Sequence, residues 1–133
     1  MNPVIHFEMP ADDRDRMAEF YASVFGWQAQ KLGADMGHYT VVSTTASDAA
    51  GCPKAPGAIN GGFFLKRPDM PAQYPSVVIA VDDLQAAMDK VAAAGGQVLG
   101  EPMDIPGVGR YVSFLDTEGN RASMLQPLAR TGH

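Results

Sequence analysis

Two stretches of this chain lie over one another without a gap at an offset of 70 residues, HFEMPADDRDRMAEFYASVFGW from His6 and SVVIAVDDLQAAMDKVAAAGGQ from Ser76. Asp12 and Asp13 fall on Asp82 and Asp83, Ala22 on Ala92, and Gly26 on Gly96. In each copy a short apolar run leads to an Asp-Asp pair and then to helical spacing: Met17, Phe20, Tyr21 and Val24 in one, Leu84, Ala87, Met88 and Val91 in the other. Both helices are expected to bury one stripe. An aspartate at each start suits free N–H groups and the positive end of the helix dipole, and a glycine at each end suits a left-handed terminating residue. These aspartates therefore read as caps rather than as catalytic acids.

Strand-like pieces follow each helix. In the first half they are WQAQKL, HYTVVST and AINGGFFL, with a Gly/Ala/Pro loop over residues 46 to 57; in the second they are QVLGE, RYVSFLD and RASMLQP, with a loop at MDIPGVG and a turn at TEGN. Each half is thus βαβββ. Between them KRPDMPAQYP, with three prolines, reads as an extended linker. The expected class is α+β: two tandem βαβββ modules, about residues 4–66 and 75–127, pairing into one cup-shaped sheet, because neither alone can cover its apolar face. At 133 residues a single domain accounts for the chain.

The balance of charge narrows the partners. A formal net charge of −5 argues against nucleic acid and anionic membrane surfaces, which reward clustered Lys and Arg. No apolar run approaches the roughly 20 residues of a membrane span, and MNPVIHFEMPADD has no signal-peptide pattern, so the expected location is cytoplasmic. The single cysteine, Cys52, forms no internal disulfide.

Chemistry concentrates near the start, in VIHFEM. Residues two apart on a strand face the same way, so His6 and Glu8 share a face. They are either a satisfied polar pair on a sheet or a site in which His6 acts as general base or hydrogen-bonding anchor beside a carboxylate. Tyr111 and Ser113 alternate on RYVSF and share a face in the same way. Gly107 to Gly109 lacks the strand–loop–helix setting of a phosphate loop and reads as a hinge or lid.

This double βαβββ, with FYASVFGW closing the first helix, VDDL opening the second and DTEGN in the last hairpin, resembles the vicinal oxygen chelate superfamily of glyoxalase I, bleomycin-resistance proteins and extradiol dioxygenases. The resemblance runs from about Val4 to Pro127. It implies the glyoxalase/bleomycin-resistance/dihydroxybiphenyl dioxygenase fold, a small-molecule ligand or substrate in the cup, and a homodimer. Metal-using relatives draw four His and Glu ligands from the first and last strands of the modules. Carried over, those positions fall on His6, Ser76, Ser123 and, by matching GAINGG to NRASML, Asn60. One imidazole, one amide and two hydroxyls make a weak set for a divalent ion, even with Glu8 added. The expectation is a small-molecule binding protein without a tightly held metal, its pocket lined by Asn60, Ser76, Tyr111, Ser113 and Ser123. The alternative is a lyase, isomerase or dioxygenase using a weakly bound ion at His6, or His6 and Glu8 as metal-free catalytic groups.

Overall fold

The computed structural model describes residues 1–49 and 51–128. Its elements are β1 (Val4–Ala11), α1 (Arg14–Phe25), β2 (Gln28–Lys31), β3 (Thr40–Ser43), β4 (Asn60–Leu65), β5 (Ser76–Ala80), α2 (Leu84–Ala93), β6 (Gln97–Ile105), β7 (Gly109–Leu115) and β8 (Arg121–Pro127). This is βαβββ twice, as the repeat predicts. The chain divides into two compact units, His6–Pro75 in one and Met1–Ile5 with the residues from Ser76 onward in the other.

In the first unit the strands lie in the order β2-β3-β4-β1, with β4 parallel to β1 and antiparallel to β3. In the second the order is β5-β8-β7-β6, with β8 parallel to β5 and antiparallel to β7. The two topologies are identical. Each helix starts as the sequence suggests: Asp13 accepts from the Arg16 N–H and Asp83 from the Ala86 N–H, both at 3.0 Å. Gly26 ends α1 in the left-handed region at φ 76°, where a Cβ would be strained.

The helices cover one face of each sheet. Ala11, Val42 and Phe63 form the buried centre of the first unit, with Met9, Met17, Ala18, Tyr21 and Trp27 packed on it. Trp27 is a packing anchor here, stacked on Tyr21 at 4.6 Å between ring centroids. Val81, Leu84, Val112 and Met124 do the same in the second unit, with Ala87, Met88 and Val91 against them. The stripe of α2 is therefore buried as expected. That of α1 is narrower: Phe20 and Val24 are each 55% exposed, and only the Met17–Tyr21 edge meets the sheet.

Two segments differ from their sequence reading. KRPDMPAQYP is a folded turn rather than an extended linker, because the Gln73 side chain accepts from the Arg67 N–H at 2.6 Å and donates to the Arg67 carbonyl at 2.7 Å. The expected loop at Met103 to Gly109 is mostly strand. Met103, Asp104 and Ile105 pair with Tyr111, Arg110 and Gly109 after a bulge between Leu99 and Met103, and Gly100, at φ 74°, provides the backbone freedom this needs. No helix is long and apolar enough to cross a membrane among the described residues.

Candidate functional site

On β1 the side chains alternate. Met9 and Ala11 turn toward α1, and Phe7 lies 5.5 Å from the Trp27 ring, so His6 and Glu8 take the opposite, helix-free face. Glu8 is 6% exposed. The Cα partners of these two residues on β4 are Asn60 and Gly62. Over Gly62 lies a residue that sequence reasoning missed, Tyr39. A Cβ at Gly62 would overlap the Tyr39 phenol. The bare glycine thus lets the ring lie across the sheet, and its hydroxyl reaches His6 Nε2 at 3.2 Å. Either group donates, according to the imidazole tautomer. Burial pushes the His6 imidazole below its ordinary value of 6.5, and the Glu8 charge opposes that only in part. A neutral imidazole, a phenol and a buried carboxylate therefore share one face of the first module.

Asn60 pairs with His6 in the ladder, with its amide already engaged. Its Oδ1 accepts from the Thr44 N–H at 2.9 Å, and its Nδ2 donates to Ser47 Oγ at 2.9 Å and to the Gly51 carbonyl at 3.1 Å. It pins the loop that follows β3.

The second module carries a polar cluster on its own helix-free face. Tyr111 Oη and Ser123 Oγ are 2.7 Å apart, Ser113 Oγ and Ser123 Oγ 2.9 Å, and Ser113 lies 3.4 Å from the Tyr111 hydroxyl. Arg121, also missed in the sequence, donates from Nη2 to Ser113 Oγ at 3.1 Å. Ser123 is fully buried. Ser76 belongs to the same face two residues before Val78, the Cα partner of Ser123, and its Oγ is buried with no hydrogen-bond partner among the described residues.

Ladder registers correct one correspondence and supply a signal for Tyr39. The offset of 70 that takes Glu8 to Val78 takes their ladder partners from Gly62 to Ser123. Matching GAINGG to NRASML, by contrast, had put Ser123 on Asn60. The loop before β4 and the turn before β8 differ in length, so that match is wrong by two residues: Gly62 is the counterpart of Ser123, and Asn60 of Arg121. On the neighbouring strands Thr40 pairs with Phe63 as Val112 pairs with Met124, which makes Tyr39 the counterpart of Tyr111. HYTVV against RYVSF was the available clue.

A tightly held divalent ion needs about three or four good donors. Among the described residues no three His, Cys, Asp or Glu side chains gather in one place. The first module offers His6 and Glu8, with the Asn60 amide taken up by its loop; the second has hydroxyls and a guanidinium at the matching positions. These residues do not fit such an ion.

A family model described as the Glyoxalase/Bleomycin resistance protein/Dioxygenase superfamily matches residues 4–124. The chain belongs to this superfamily. A Mycobacterium tuberculosis protein named as a glyoxylase, CFP32, is 35% identical over 121 residues, which are 90% of this chain and 42% of that protein. This chain thus spans less than half the length of that relative. A glyoxylase-like domain-containing protein of Didymella fabae is 33% identical over 116 residues, covering 85% of this chain and 84% of its own. Among solved structures, a variant Streptomyces coelicolor methylmalonyl-CoA epimerase in complex with 2-nitronate-propionyl-CoA superposes with a TM-score of 0.67 at 18% identity, over 95% of this chain and 97% of that one. At that identity the likeness is one of fold.

Proposed function

We propose that this protein binds a small organic molecule on the sheet face carrying His6, Glu8 and Tyr39, without a tightly held metal. The observation that carries the reading is the His6–Tyr39 hydrogen bond beside a buried carboxylate. A neutral imidazole and a phenol can each donate or accept, and Glu8 adds an acceptor, so the three would fix the orientation of a polar ligand group. The poor donor set for a divalent ion supports the metal-free form, and the solved relative with a bound CoA derivative supports a small-molecule role.

A thermal-shift screen of metabolites and antibiotics, with elemental analysis of the purified protein, tests this. At least one compound should raise the melting temperature by mass action, and the shift should shrink in Tyr39→Phe and vanish in His6→Ala. Metal should be substoichiometric after dialysis. A near-stoichiometric ion that His6→Ala releases overturns the metal-free reading, and a broad panel without a hit overturns the binding reading.

A second reading, favoured by the lowered proton affinity of His6, makes the same groups catalytic, with His6 or Glu8 taking a proton from a bound substrate. Glu8→Gln would then abolish turnover of a discovered ligand while leaving its binding in place. We further propose that the protein is a homodimer, as the family resemblance implies, for which light scattering should give twice the 14.1 kDa chain mass.

A further inference from the structure

We propose that Arg14, at the start of α1, is the positioning residue of the His6–Tyr39 pair: its guanidinium holds the loop between β2 and β3 in the shape that lays the Tyr39 ring over Gly62. This deepens the small-molecule reading of that face and rests on it.

The loop has a short path and an unfavourable backbone. Lys31 and Thr40 are ladder partners, so residues 32 to 39 leave β2 and return beside it as β3. The chain makes one turn at Ala34–Met36 and then passes through the left-handed region twice, with Gly37 at φ 65° and His38 at φ 57°. Glycine adopts that region freely, whereas the Cβ of His38 opposes it. A residue with a side chain stays there only where its surroundings leave it no alternative. Backbone bonds close the loop on itself: His38 N–H donates to the Gly33 carbonyl at 3.0 Å, Tyr39 N–H to the Met36 carbonyl at 3.2 Å, and Leu32 N–H to the Tyr39 carbonyl at 2.8 Å.

Arg14 ties the loop down from outside. Its Nη1 donates to the Leu32 carbonyl at 2.8 Å and to the His38 carbonyl at 2.7 Å, and a charged donor makes both bonds stronger than neutral ones. Both acceptors bear on Tyr39. The His38 carbonyl shares a rigid peptide plane with the Tyr39 nitrogen, so holding that oxygen fixes how the chain enters Tyr39. Leu32 holds the Tyr39 carbonyl through its own N–H, so holding Leu32 fixes how the chain leaves. With its backbone set from both sides, the Tyr39 ring lies where a Cβ at Gly62 would overlap it, and its hydroxyl reaches His6 Nε2. α1 covers the opposite face of the sheet, so Arg14 acts on the pair through the backbone. Because one nitrogen makes both bonds, a lysine ammonium, also one nitrogen with several donors, can take its place; a site that used the whole planar fork would not allow that exchange.

The test needs no ligand. In the labelled full chain, the NMR shifts of the Gly62 α-protons report the aromatic ring above them, and Tyr39→Leu gives their value with the ring removed. Arg14→Met should carry these shifts at least half of the way to the Tyr39→Leu value, and Arg14→Lys should restore most of the original shift. Diethyl pyrocarbonate, followed by mass spectrometry, should modify His6 at least threefold faster in Arg14→Met and in Tyr39→Leu than in the unaltered chain. Lys31→Gln breaks an exposed ion pair with Asp15 at the same end of α1, and Asp83→Ala removes the cap of the other helix; both should leave the Gly62 shifts and the His6 rate unchanged. If Arg14→Met does not fold, Arg14→Gln, whose amide is too short to span both carbonyls, takes its place with the same expectation. Gly62 shifts and a His6 rate that stay put in the folded Arg14 variant overturn the proposal. So does an equal displacement in Asp83→Ala, which would trace the effect to lost stability, or a lysine variant no better than methionine. Those failures leave the proposed function intact, while a ligand screen without a hit removes that function and leaves the placement of Tyr39 by Arg14 standing.

Discussion

The arrangement over Gly62 can be broken with one methyl group. An alanine Cβ there would occupy the space of Tyr39 Oη, Cζ and Cε1, so the ring must swing off the sheet and its hydroxyl must leave His6. Overpacking of this kind costs about 1–3 kcal/mol, and the lost hydrogen bond about 0.5–1.5 kcal/mol. Replacing a strand glycine by alanine returns roughly 0.5–1 kcal/mol through the unfolded chain. Gly62→Ala should therefore destabilise by about 1–3 kcal/mol in urea unfolding, without a change in the dependence on urea concentration. The decisive measurement is a double-mutant cycle. In a Tyr39→Ala background the overlap is gone, so Gly62→Ala should become neutral or slightly stabilising, with a coupling of about 2–3 kcal/mol. Gly61→Ala is the control, because its Cβ would meet Phe7 on the other face, and its cost should not depend on Tyr39. An equal cost for Gly62→Ala with and without the Tyr39 ring refutes the reasoning.

Three further outcomes follow from named contacts. In an NMR titration His6 should show a midpoint below 6.5, and lower still in Glu8→Gln, since the carboxylate raises it. Because the unfolded chain takes up this proton more readily than the folded one, stability should fall as pH drops through 6.5 and go on falling to the folded-state midpoint; a His6 midpoint above 6.5 contradicts this. Asn60→Ala should cost about 1–3 kcal/mol by leaving Thr44, Ser47 and Gly51 groups without their partner, and should change ligand affinity less than His6→Ala does; the reverse order would return Asn60 to the binding surface. Asp13→Ala and Asp83→Ala should each cost about 0.5–2 kcal/mol as lost helix caps, additively, as measured by chemical unfolding.

The parts of the fold that were legible in the sequence are those that local rules decide. Asp12-Asp13 and Asp82-Asp83 at one offset announced two equivalent strand-to-helix junctions, and both second aspartates do cap. The α1 stripe was read too wide because hydrophobicity alone does not say whether a neighbour exists to cover Phe20 and Val24. His6 and Glu8 stood out because period-two spacing fixes a shared face without knowledge of any partner strand. Tyr39 and Arg121 did not, and for a physical reason. Their roles depend on registers between strands, and each register was hidden by a loop of different length in the two halves. Arg121, immediately after the TEGN turn, looks like ordinary hairpin surface until Ser113 is known to pair beside it.

Once the registers are aligned, the two modules differ in an ordered way. A tyrosine stands at the same place in both, but what it touches is decided by the residue on the next strand. Where that residue is Gly62, the Tyr39 ring lies flat and reaches β1 to meet His6. Where it is Ser123, the Tyr111 hydroxyl meets the serine, and the matching β5 position is the small Ser76. Glu8 has Val78 as its counterpart and Asn60 has Arg121, so the acid lies in one module and the strong base in the other. Exchanging one small residue, Gly62→Ser or Ser123→Gly, should move each tyrosine toward the other module's habit. In Ser123→Gly the Tyr111 hydroxyl should lose its 2.7 Å partner and become able to turn toward β5, which carries the Ser76 hydroxyl. A crystal structure of that variant with Tyr111 unmoved would show that the tyrosine is held by its own strand rather than by the residue beneath it.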